Sequence, residues 1–127
     1  MIFLLIGLVL VPIAAGTWAK RNHPQFTATA AGLGFGLVVS PMSMGLYATY
    51  FLGPLGIITS MVGLASVLFH GTPGYNISIW LGLIPSNTVV TGAADFYVEA
   101  VNALFWAPIY GAVGWLIDRV RHARFAL

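Results

Sequence analysis

Charge is nearly absent from this chain: five Lys or Arg and three Asp or Glu among 127 residues, 6% of positions. A water-soluble domain carries about 25%. So few ionic groups do not keep a globule of this size in solution, and 59% of the residues are hydrophobic. The balance excludes a soluble domain and a disordered tail. Without cysteine there is no disulfide framework and no thiolate site. The net charge of +2 reflects scarcity rather than a basic patch, so no nucleic-acid partner is expected. The expected fold class is an all-α integral membrane protein, a single polytopic domain over 1–127 with the lipid bilayer as its first partner.

Punctuation divides the apolar sequence. A first run, about 2–19, is closed by Lys20 and Arg21. About 20 residues at 1.5 Å each cross a bilayer core, so this run spans. It lacks the positive n-region of a secretory signal and is expected to be a span. A second run, 24–51, opens on Pro24 and carries Pro41 in its middle. Gly53-Pro54 then breaks the chain before a third run, 54–70. Residues 24–70 would make roughly 70 Å of continuous helix, too much for one crossing and suited to two.

Thr72-Pro73-Gly74 and Pro85-Ser86-Asn87-Thr88 read as turns. The segment 75–94 that contains the second of them is expected to be re-entrant or to lie at the interface. A last helix, 95–118, ends in a cluster of arginines. This makes a bundle of four transmembrane helices, with five spans as the alternative if 75–94 crosses. Four spans put Lys20 and Arg21 on the opposite side from Arg119, Arg121 and Arg124, whereas the positive-inside rule prefers one side. The stronger C-terminal cluster is expected in the cytoplasm, in a plasma or inner membrane.

Helices in lipid associate through close backbone packing and polar contacts rather than hydrophobic drive. Ala28, Gly32, Gly36 and Ser40 recur every four residues, a seam of small side chains on one helix face. Ala103, Ala107 and Gly111 make a second seam on the last span. Packing within a small bundle is their first reading; an oligomer interface is the other.

Asp95, Glu99 and Asn102 fall within about 60° of arc on the last helix, hence on one face. Acids in a first turn stabilise the positive end of a helix, and Asp95 reads as an N-cap. Glu99 and Asn102, deeper in the span, are the sharper candidates for an ion or partner site. His70 joins them only if 71–94 does not cross. No metal site, no catalytic residue and no cofactor is expected, because nucleophile and phosphate-binding signatures are missing. The chain is therefore expected to be a non-catalytic accessory, assembly or inhibitory subunit that packs against a larger membrane protein. The alternative is a self-associating channel or transporter for an ion, proton or small solute; a membrane-embedded enzyme comes last.

Overall fold

The computed structural model of the chain describes residues 2–87 and 89–125. It is helical, with α1 Ile2–Asn22, α2 Thr27–Tyr47, α3 Gly53–Trp80 and α4 Ala93–Phe125. A single 3-10 turn, Pro24–Phe26, joins α1 to α2, and another, Ala48–Phe51, prolongs α2. Three stretches, Pro24–Phe51, Gly53–Trp80 and Ala94–Ala123, are long and apolar enough to cross a membrane.

Among the described residues α2 is the hub, touching each of the other helices, while α1 touches neither α3 nor α4. Glycines set these contacts. Gly16 lies on Ala31 and Gly34 on Pro12 and Ala15, which closes the α1–α2 hairpin. Along α2 and α4, Ala28 faces Gly114, Gly32 faces Tyr110, and Gly36 faces Ala107. A Cβ placed on Gly36 would stand 2.5 Å from the Ala107 Cα, so the two backbones touch there and only glycine fits.

That order of contacts runs in opposite directions on the two helices. The α4 C-terminus therefore lies beside the α2 N-terminus, and Lys20, Arg21, Arg119 and Arg121 gather at one end of the molecule. Four successive end-to-end passes would make α2 and α4 parallel and separate these groups. The structure differs because residues 48–92 leave and return at the same end. It has the parity of the five-span alternative without a fifth helix.

The reason lies in α3. Gly63 sits on Tyr47 and Ser66 on Ser43, both of α2, whereas Gly74 sits on Asn102 and Val98 of α4. Numbers run in opposite directions in each pair. Three helices cannot all be antiparallel along one axis, so α3 lies obliquely over the far half of the α2–α4 pair.

The expected turn at Thr72-Pro73-Gly74 is absent, since Pro73 lies inside the 28-residue α3. Residues 75–80 are the last turns of that helix rather than the start of a separate interfacial segment. Helix α3 ends at Gly82, in the left-handed region with φ 70°. Its N–H donates to the Ile79 carbonyl, and the Leu83 N–H to the Ser78 carbonyl, each at 2.9 Å. This is the Schellman arrangement that glycine favours at a helix end. Asn87, with φ 65°, makes the second expected turn, whose Thr88 lies outside the described residues.

Candidate functional site

The polar residues of the bundle concentrate where α2, α3 and α4 meet. Proline at position 73 has no N–H to give the Phe69 carbonyl one turn earlier. Helix α4 grips the backbone on either side of that break. Asn102, fully buried, accepts the Gly74 N–H at 2.7 Å and donates Nδ2–H to the Gly71 carbonyl at 3.3 Å. One turn on, Trp106 Nε1 donates to the His70 carbonyl at 2.8 Å. Two α4 side chains thus clasp three backbone groups of α3 around its proline.

The same Asn102 Nδ2 donates to Ser40 Oγ at 3.1 Å, and that hydroxyl donates onward to Glu99 Oε1, also at 3.1 Å. The face predicted from spacing therefore does bring Glu99 and Asn102 together, with Ser40 of the α2 seam between them. Their surroundings differ. Asn102 has every polar group engaged and works as a packing joint. Glu99 is half-buried, and its Oε2 is shielded from solvent without a hydrogen-bond partner among the described residues. Glu99 also lines a cleft of about 280 Å³ walled by Met44, Val67 and Val98, with Thr72, Tyr75 and Asp95 lining it too. Asp95 is exposed in the first turn of α4, which begins two residues earlier at Ala93, so it is not the N-cap.

His70 takes no part in this cleft. Its Nδ1–H donates to the Ser66 carbonyl at 3.1 Å, and its Nε2 accepts the Tyr110 hydroxyl at 2.7 Å. Ser66 Oγ in turn pairs with Ser43 Oγ, and Ser43 donates to the Val39 carbonyl, both at 2.6 Å. A neutral imidazole satisfies the whole relay, packed edge-on to Trp106 with centroids 4.8 Å apart. Among the described residues no cluster of His, Asp or Glu is arranged to hold a metal ion.

Comparison with known proteins returns no matching family model, no matching curated protein and no matching solved structure. The site must be read from its own chemistry.

Sequence reasoning missed Asp118. It stands at the start of the basic C-terminal cluster, where nothing in the sequence assigns it a role, and it is only 4% exposed. Its Oδ1 accepts the Ala28 N–H at 3.0 Å, and its Oδ2 accepts the Thr29 N–H at 2.8 Å and the Thr29 hydroxyl at 2.9 Å. These are first-turn amides of α2, which has no side-chain cap of its own. A carboxylate from α4 caps them, at the positive end of the helix dipole. Capping usually acts within a few residues, so nothing local signals a cap that arrives from 90 positions away.

Of the two seams, Gly32, Gly36 and Ser40 meet α4, and Ala107 and Gly111 meet α2. Ala28 reaches Gly114, a glycine outside the predicted seam, and Ala103 is half-buried.

Proposed function

We propose that the chain is a small non-catalytic membrane protein that works as an accessory subunit, docking a partner segment at the cleft between α3 and α4. The observation that carries this reading is the unpartnered Oε2 of Glu99. A buried carboxylate oxygen in an apolar wall, with Asp95 one turn away, calls for a donor that none of the described residues offers. A basic or amide side chain on a partner helix answers that need. Met44, Val67 and Val98 supply the apolar contact around it.

In the bilayer, α1, α2 and α4 cross while α3 enters obliquely from one side. The basic end faces the cytoplasm, since no Lys or Arg occurs between Arg21 and Arg119. The chain has no native cysteine. Single cysteines at His23, Ser86 and Ala123 therefore test this arrangement with a membrane-impermeant maleimide on intact cells. Position 86 should react at once, and 23 and 123 only after permeabilisation. Opposite behaviour of 23 and 123 would refute it.

The docking reading is tested with Glu99→Gln, which keeps an acceptor for Ser40 and removes the charge. Native mass spectrometry of protein extracted in mild detergent from its own membrane should give a heteromer for the parent chain. The variant should recover the partner about ten- to a hundredfold less, the worth of about 1.5–3 kcal/mol for one charged hydrogen bond. Equal recovery sinks the proposal. A second reading, a self-associating conduit, draws on the pairing of Asp95 with Glu99 along one open cleft. It requires a homo-oligomeric mass and a flux through vesicles that Glu99→Gln abolishes.

A further inference from the structure

Helices α1 and α4 both pack on α2 and leave a gap between them at the basic end. Lys20 from the end of α1, Pro24 and Thr27 at the start of α2, and Arg121 and His122 from α4 line a cleft of about 330 Å³ there. Its one acid, Asp118, has both oxygens engaged by the α2 amides and lies close enough to Arg121 to interact with its charge, which leaves Lys20 as the cation with no carboxylate paired to it among the lining residues. His122 is held in place by its Nδ1–H, which donates to the Asp118 carbonyl at 2.8 Å.

A second, mostly apolar groove starts from the same Lys20 and Thr27 and follows the α1–α2 junction past Thr17, Gly16, Ile13 and Pro12. Eight helical residues give it a depth of about 12 Å. Trp18 and Trp115 are exposed at this end, 60% and 43%, and amphipathic rings of that kind sit at headgroup level. Arg119 lies over the Trp115 ring at 5.2 Å, engaged apart from the cleft.

We propose that these two clefts together form a binding site for one anionic phospholipid. Its phosphate lies between Lys20 and Arg121, and an acyl chain follows the groove along Ile13 and Gly16. A guanidinium and an ammonium lining one cleft suit a phosphodiester, and the adjoining apolar channel selects a lipid over a soluble phosphate. The site is separate from the Glu99 cleft and does not depend on the docking assigned to it.

The test is retention of phosphatidylglycerol by the full chain in nanodiscs, measured by native mass spectrometry against phosphatidylcholine. The parent chain should keep one phosphatidylglycerol with at least tenfold preference. Lys20→Gln with Arg121→Gln should remove the preference, whereas Arg21→Gln with Arg119→Gln, which changes net charge equally, should leave it intact. Equal loss in both pairs would mean diffuse attraction and overturn the site. So would full retention in the first pair, or displacement of the lipid by inorganic phosphate. Thr17→Trp, which fills the groove at an exposed position, should weaken phosphatidylglycerol retention without altering the helical circular dichroism. Unchanged retention in that variant would refute the acyl-chain half of the site.

Discussion

Gly36→Leu should destroy the folded bundle. A leucine there must drive its Cβ into the Ala107 Cα and the Trp106 carbonyl, both 2.5 Å from where that atom would stand. Neither neighbour is a flexible side chain that can swing aside. Overpacking a core costs about 1–3 kcal/mol when side chains can adjust, and more when two backbones must separate. Separation of α2 from α4 would also unseat Asn102 from Ser40 and Asp118 from Ala28. Gly7→Leu is the control, because nothing lies within 4 Å of the place its Cβ would take. Denaturation in mixed micelles, followed by tryptophan fluorescence, should give near-parental stability for Gly7→Leu and no cooperative transition for Gly36→Leu. A cooperative transition in the latter would mean that α2 and α4 do not meet along this seam.

Asn102→Leu should have the next largest effect. Leucine keeps the number of side-chain heavy atoms but is bulkier, so some overpacking adds to the polar loss at this buried site. The Gly74 N–H, the Gly71 carbonyl and Ser40 Oγ each lose a bond. Unsatisfied buried groups cost about 1–3 kcal/mol each in water-soluble proteins, and interhelical bonds in membranes average about 0.6 kcal/mol. A total of about 2–4 kcal/mol follows for three groups. Amide hydrogen exchange localises it: protection at Gly74 should fall well before protection in the α1–α2 hairpin. If Gly74 stays protected, the clasp at Pro73 is not what holds α3 to α4.

The residues in these two experiments mark where the sequence was legible. The α2 seam could be read because its signal is local and periodic: Ala28, Gly32, Gly36 and Ser40 fall on one face by helical geometry alone. The single face of Glu99 and Asn102 follows from the same arithmetic. Membrane character follows from composition, and the break at Gly53-Pro54 from the conformations those residues prefer.

What escaped the sequence is held together at long range. Pro73 and Gly74 read as a turn because a proline ordinarily leaves a helix with an unmet carbonyl. Here Asn102 and Trp106, some 30 positions later, hold the Gly74 N–H and the His70 and Gly71 carbonyls beside it, and the helix runs on. The orientation of α4 depends on the same contacts, so a count of apolar runs gave the wrong parity. Asp118 shows the effect at the other end. Its neighbours in sequence are arginines, and its real partners are the amides of a helix that begins near residue 27. From sequence His70 is a conditional member of the Glu99 face, and its place in a serine–tyrosine relay needs three helices to be assembled first.

The clasp at Pro73 also dictates an order of events during synthesis. Chains emerge from the N-terminus, and each segment meets the bilayer before the next has been made. The α1–α2 hairpin can close at once, because its contacts are all within the first 47 residues. Helix α3 cannot settle in the same way. Its Gly74 N–H and the His70 and Gly71 carbonyls are met by side chains of α4, and poorly paired backbone groups are costly in hydrocarbon. On this view the third helix should settle against the bundle only once the fourth has been delivered. A chain halted after residue 92 should leave residues 70–80 open to protease, and release of the remaining segment should close them.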